Sequence, residues 1–174
     1  MPFRRAIYPG TFDPVHNGHI NLMRRATLLF DEIIVAVFDH GRPIKSVLFD
    51  VEERMEMIRS AMANQPAVRV MRFSGLIVDF ARKVDAPIIV RGLRVFSDFE
   101  FEFRFALANQ RQAPEIEVVT LITREEHTFL SSTTVREIAT FGGDVSSMVP
   151  DHVATALKNR FANGDNYSAR SVRD

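Results

Sequence analysis

The chain predicts an open, parallel α/β sheet of five strands with helices on both faces. Three observations point there. Short apolar runs alternate with longer runs of helical period along the chain. Polar residues of unusual chemistry gather just after the apolar runs, where such sheets bind ligands. No repeat or linker divides residues 1–162, so the alternation belongs to one domain.

The elements follow in order. Ala6-Ile7-Tyr8 reads as a first strand and Ile20 to Phe30 as the first helix. Ile33 to Phe38, rich in Val and Ile, is a second buried strand. Asp39 to Ser46 is a polar loop. A helix follows from about Asp50, which can act as N-cap, with Glu53 completing a capping box. Met55, Ile58 and Met62 give that helix its apolar face. Val68 to Phe73 alternates as a third strand, and Ser74-Gly75 turns the chain. Leu76 to Val84 is a short helix with Leu76, Phe80 and Val84 on one side. Pro87 to Val90, wholly apolar, is expected to be a central, buried fourth strand, with Arg91 to Arg94 in the loop beyond it. Ser97 to Gln112 is a long helix carrying Phe99, Phe103 and Ala106 on one side. Its phenylalanines suit a core or an interface. Ile116 to Ile122 is the fifth strand, Thr123 to Leu130 a loop, and Ser131 to Phe141 a helix stopped by Gly142-Gly143. Pro150 to Phe161 is the last helix. Asn163 to Asp174 has no apolar period and is expected to be a disordered tail.

Composition excludes several function classes. Among 174 residues, Lys plus Arg equals Asp plus Glu at 22 each, so a general nucleic-acid binder is not expected. Any anion site must come from local arrangement. The chain has no cysteine, which excludes disulfides, thiol catalysis and Cys-ligated zinc. No run of 18 apolar residues exists, so no membrane partner is expected. Met1 to Arg5 leads at once into a strand, leaving no room for a signal peptide. The expected address is cytoplasmic.

The stretch that organises the chain is Tyr8-Pro9-Gly10-Thr11-Phe12-Asp13-Pro14-Val15-His16-Asn17-Gly18-His19. It is a strand-to-helix turn, with Gly and Pro setting a path that ordinary residues resist. Its histidines fall at a helix N-terminus, where free N–H groups and the helix dipole favour phosphate. His16 and His19 are three apart and would share a face of a helical first turn. Gly18 between them would let a phosphate approach the backbone. An imidazole there can donate to a phosphate oxygen as charge develops.

Two further clusters suit anions. Arg91-Gly92-Leu93-Arg94 puts two fork-shaped guanidiniums around a glycine. Ser131-Ser132-Thr133-Thr134 opens a helix with more hydroxyls than an N-cap needs, which suits a triphosphate. His40, His127 and His152 are scattered, so no protein-only metal site is expected.

The turn resembles the signature of the nucleotidylyltransferase superfamily. Its flanking Tyr8 to Pro14 narrows the resemblance to the bacterial phosphopantetheine adenylyltransferases. The resemblance runs from about Arg4 to Ala162. It implies a Rossmann-like sheet of nucleotidylyltransferase type. It implies reversible adenylyl transfer from ATP to 4′-phosphopantetheine by direct in-line attack, giving dephospho-coenzyme A and pyrophosphate. It implies His19 as the catalytic residue, on the α-phosphate. It assigns the acceptor to Thr11, Lys45, Ile77 and Arg91, with Leu76 beside Ile77 as the apolar wall. It assigns ATP to Thr11, Phe12, His16, His19, Gly92, Leu93, Arg94, Glu102 and the segment His127, Thr128, Phe129, Leu130, Ser131, Ser132 and Thr133. Mg2+ would be held mainly by ATP oxygens. Coenzyme A is a candidate feedback ligand, and a homohexamer is implied. The loop from Asp39 to Lys45 is about two residues longer than the commoner family pattern and keeps one lysine, so Arg42 rivals Lys45. A basic position of the wider superfamily falls on Arg136. The rival readings are an adenylyltransferase for another phosphorylated acceptor, such as nicotinate mononucleotide, and a nucleotide-binding protein without turnover.

Overall fold

The computed structural model describes residues 3–41 and 46–162. Arg42, Lys45 and the tail from Asn163 lie outside the described residues. Strands β1 (Arg5–Gly10), β2 (Glu32–Phe38), β3 (Val68–Phe73), β4 (Ile88–Leu93) and β5 (Glu117–Ile122) alternate with helices. The helices are α1 (Asn17–Ala26), α2 (Val51–Ala61), α3 (Ile77–Lys83), α4 (Phe96–Gln112), α5 (Ser132–Thr140) and α6 (Asp151–Ala162). The five strands form one sheet in the order β3-β2-β1-β4-β5, every pair parallel.

That order places the site. The chain builds outward from β1 through β2 to β3, then crosses back to lay β4 on the other side of β1. The strand order therefore reverses between β1 and β4, and a crevice opens beyond their carboxyl ends. The signature turn leaves β1 there, and Arg91 to Leu93 end β4 there.

Alternation along the strands divides the core in two. Ala6, Tyr8, Ile33, Val35 and Val37 face one way and pack with apolar residues of α1, α2, α5 and α6. Ile7, Ile34, Ala36 and Ile89 face the other way and pack with Ile77, Val78, Phe80 and Ala81 of α3. Asp50 caps α2 by the expected box: its carboxylate accepts the Glu53 N–H at 2.9 Å, and Glu53 accepts the Asp50 N–H at 2.8 Å.

Several boundaries differ from expectation. Helix α1 begins at Asn17, three residues before Ile20, because His16 caps it; it ends at Ala26, leaving Leu28 exposed. β4 is interior as expected, lying between β1 and β5 with Ile89 and Val90 buried. β4 runs on through Arg91, Gly92 and Leu93, which pair with Thr120, Leu121 and Ile122 of β5. These three residues are strand, not loop. Leu76 and Val84 only flank α3; Ile77 and Val78 take the buried positions beside Phe80 and Ala81. Of the phenylalanines of α4, Phe105 packs against the core and the others do not. Phe96, Phe99, Phe101 and Phe103 are exposed, and Phe96, Phe99 and Phe103 stack in series at centroid spacings of 6.3 and 5.8 Å.

Candidate active site

A cavity of about 370 Å³ opens beyond the carboxyl ends of β1 and β4. β1 contributes Tyr8, Pro9 and Gly10; the turn and α1 contribute Phe12, His16, Gly18, His19 and Leu22. β4 and its exit contribute Arg91, Gly92 and Arg94. Helix α4 adds Ser97, Asp98, Phe101 and Glu102, and the far wall is Thr123, His127, Ser131 and Ser132.

The two histidines make an unusual cap. His16 is extended at φ −130° and ψ 169°, so it precedes the helix and does not share its first turn. Its Nδ1 accepts the His19 N–H at 3.3 Å, and the Nδ1 of His19 accepts the His16 N–H at 3.2 Å. The rings stack 3.5 Å apart at 19°. A nitrogen that accepts carries no proton, so each neutral ring holds its proton on Nε2. Charging either ring would put a proton where a backbone N–H already points. Burial holds both neutral: the pKa of His16 falls to about 3, chiefly by desolvation and then by Arg94 and His127. His19 is also pushed well down by burial, then by His16, Arg94 and Arg91. The pair is thus a pair of neutral N–H donors.

Phe12 sets the turn. Its φ of 52° lies in the left-handed region, where a bulky residue is strained. Its ring packs edge-on against Tyr8 at 5.4 Å and His19 at 5.0 Å. A Cβ on Gly10 would meet that ring at 2.8 Å. Gly92 serves packing: a Cβ there would meet Leu22 of α1 at 2.7 Å, so the glycine lets helix and strand close together.

The arginines are held by carboxylates of α4. Arg91 forms a two-pronged pair with Glu102, both bonds at 2.7 Å, and its guanidinium lies 4.8 Å from the Phe105 ring centre. Arg94 pairs with Asp98 at 3.1 and 3.3 Å and donates to the Leu130 carbonyl at 2.9 Å. Burial pushes the Tyr8 phenol up, so it stays protonated on the wall.

The structure brings Phe12, His16, His19, Arg91, Gly92, Arg94, Glu102, His127, Ser131 and Ser132 to one cavity. Other expected residues are not on its walls. Thr11 is exposed and gives its carbonyl to Arg54 at 2.6 Å. Leu93 is partly buried at the end of β4. Thr128 bonds the Glu125 carbonyl at 2.9 Å, Phe129 is exposed, and Leu130 is buried. Thr133 accepts from Arg136 at 3.5 Å. Ile77 is 8% exposed and packs in the core on the α3 face, and Leu76 is exposed outside the cavity. Lys45 lies outside the described residues. The sequence reading missed Tyr8, Leu22, Phe101 and Thr123 as wall residues. Asp98, in the first turn of α4, is also on the wall and holds Arg94. The Arg91–Glu102 pair joins a strand to a helix and has no periodic signal.

A parallel sheet of this order, with polar donors gathered at its switch point, is built like the nucleotide-binding α/β folds. A family model described as cytidylyltransferase-like matches residues 7–138. The fold is close to that of a Francisella tularensis bifunctional NMN adenylyltransferase/ADP ribose pyrophosphatase, complexed with AMP and a manganese ion. The TM-score is 0.67 at 15% identity, over 92% of this chain and 52% of that one. Much nearer in sequence is the phosphopantetheine adenylyltransferase of Methylococcus capsulatus, 51% identical over 157 residues, 90% of this chain and 96% of that one. That of Dictyoglomus turgidum is 48% identical over 157 residues, 90% of this chain and 97% of its own. The chain belongs to the phosphopantetheine adenylyltransferase family.

Proposed function

We infer that this chain is the adenylyltransferase that joins the adenylyl group of ATP to 4′-phosphopantetheine, reversibly, giving dephospho-coenzyme A and pyrophosphate in coenzyme A biosynthesis. The observation that carries the chemistry is the His16–His19 pair facing Arg91 and Arg94 across one cavity at the sheet's switch point. The relatives at 48–51% identity carry the acceptor.

The acceptor is already an anion, so no side-chain nucleophile is required. Its phosphate oxygen attacks the α-phosphorus of ATP in line; the new P–O bond forms as the bond to pyrophosphate breaks. Catalysis is then positioning and charge stabilisation. His19 donates from Nε2 to the α-phosphate, with His16 stacked behind it. Thr11, Lys45 and Arg91 hold the acceptor phosphate. Arg94 and Ser131 to Thr133 hold the leaving pyrophosphate, and Glu102 and His127 border the nucleoside.

The cavity's charge balance bears on a metal. Arg91 and Arg94 are each matched by a carboxylate, and the His16–His19 pair is neutral. The described residues hold no group of three His, Asp or Glu side chains able to bind a metal. Mg2+ carried on ATP oxygens fits this arrangement, because Asp98 and Glu102 are already occupied. When bound it would screen the triphosphate.

Among the described residues no helix is long and apolar enough to cross a membrane; the cytoplasmic address belongs to the proposal. The exposed stack on α4 supports an interface between copies of the chain, because Phe96 is 92% exposed in the single chain; the homohexamer itself rests on the family resemblance. Product and coenzyme A are candidate ligands of the same cavity.

The test is competition. Pyrophosphate release from ATP is followed with 4′-phosphopantetheine and nicotinate mononucleotide at equal concentration. Preferential adenylylation of phosphopantetheine is expected. Preference for the mononucleotide would promote the rival acceptor, and absence of turnover with either would leave a binding protein.

A further inference from the structure

Behind the cavity wall, three chain segments meet on one buried carboxylate. Asp13 is 2% exposed. Its Oδ2 accepts the Leu48 N–H at 2.8 Å and its Oδ1 the Phe49 N–H at 2.9 Å. These two residues come immediately before Asp50, the cap of α2. Arg136, 8% exposed, comes from α5. Its Nη1 donates to the Asp13 carbonyl and lies 3.3 Å from Oδ2. Beside them Arg54 of α2, also 2% exposed, donates to the carbonyls of Thr11 at 2.6 Å, Phe38 at 3.0 Å and Phe49 at 3.0 Å. Ser132 completes the set by donating to the Pro14 carbonyl at 2.8 Å.

Neither Asp13 nor Arg136 lines the cavity. Arg136 points into the fold, toward Asp13, although a basic residue after a hydroxyl run invites a role on phosphate. We propose that Asp13 and Arg136 are positioning residues for acceptor binding: the buried pair fixes the Leu48–Phe49 segment, at the entry to α2, against the turn that carries Thr11. This deepens the function proposed above and rests on it. The physical reason is stoichiometric. Two backbone N–H groups, each with its own carboxylate oxygen, need a carboxylate; an amide offers one oxygen only. A buried anion in turn needs its cation.

The test uses the full chain and the variants Asp13→Asn, Arg136→Gln and Arg136→Lys. Binding of 4′-phosphopantetheine and of a non-hydrolysable ATP analogue is measured separately, with KM, kcat and melting temperature beside them. Asp13→Asn and Arg136→Gln are expected to weaken the acceptor about tenfold, since each strands a buried partner. The ATP analogue should change by less than about threefold, and kcat at saturating acceptor should stay within a few-fold. Arg136→Lys, which keeps the charge, should recover part of the acceptor affinity; it also carries the test if Asp13→Asn does not fold. An ATP analogue weakened as much as the acceptor, or more, would make Arg136 a phosphate ligand and overturn the proposal. So would losses in both ligands that merely follow the melting temperature. Failure of the parent to bind phosphopantetheine would instead strike the proposed function, and that result is visible before any variant is made.

Discussion

His16 and His19 cap the same helix for each other: each Nδ1 accepts the other residue's backbone N–H, and the rings stack 3.5 Å apart. The cap and the donor are therefore one object. The bonds that start α1 also fix which nitrogen of each ring carries its proton, and so what each ring can offer a phosphate.

His19→Ala removes a preorganised donor at the α-phosphate. Turnover should fall by on the order of 10²–10³, with ATP binding changed much less. A variant within a factor of a few of the parent would remove His19 from the chemistry. His19→Asn, which offers an N–H without a ring, should recover part of the rate.

Acid should act on stability before it acts on the donor pair. His16 has a folded pKa of about 3 against about 6.5 unfolded, so between those values the unfolded chain binds the extra proton. The stability held by the neutral ring is fully present above about pH 6.5 and is lost as pH falls toward 3. His19 shifts in the same direction. The His16 ring signals in NMR should not titrate between pH 8 and pH 5, while denaturation midpoints should decline below about pH 6.5. A His16 titration near pH 6.5 in the folded protein would contradict the neutral pair.

Ile77 is a core residue here. Ile77→Asp should destabilise the fold by at least about 3 kcal/mol, because it places a carboxylate among Ile7, Ile34 and Ile89. Thermal unfolding should fall by roughly 6–12 °C. Leu76→Asp, at a 58% exposed position, should leave the melting temperature nearly unchanged. Selective loss of acceptor binding in Ile77→Asp at unchanged stability would restore Ile77 to the acceptor wall.

Glu102 is bound to Arg91 by two bonds of 2.7 Å, and the two groups are 10% and 20% exposed. In Glu102→Gln the arginine loses its counter-charge and is freer to meet an anion. 4′-Phosphopantetheine, whose phosphate Arg91 is assigned to hold, should bind several-fold tighter, and the melting temperature should drop. If ATP affinity falls about tenfold instead, Glu102 contacts the nucleotide directly, as the family resemblance implies.

Much of this molecule is legible in its residue order. The apolar runs give the parallel sheet, because strands buried on both faces must be apolar throughout. The Asp50–Glu53 cap is legible because capping is local. The signature turn and the arginines at the carboxyl end of β4 are legible because such sheets bind beyond their carboxyl ends. What the tertiary structure decided depends on distance. Arg91 meets Glu102, and Asp13 meets Leu48, Phe49 and Arg136 across separations of 35, 36 and 123 residues. Local periodicity cannot encode those meetings; they exist because β1 lies beside β4 and α5 folds back onto the first turn. The same holds for Ile77, which the resemblance sets on the acceptor wall but which α3 buries in one cluster with Ile7 and Ile34. The sequence determined the elements and the kinds of side chain at the crevice. The packing decided which charges face the ligand and which face each other, because a guanidinium pairs with whichever carboxylate the completed fold brings within reach.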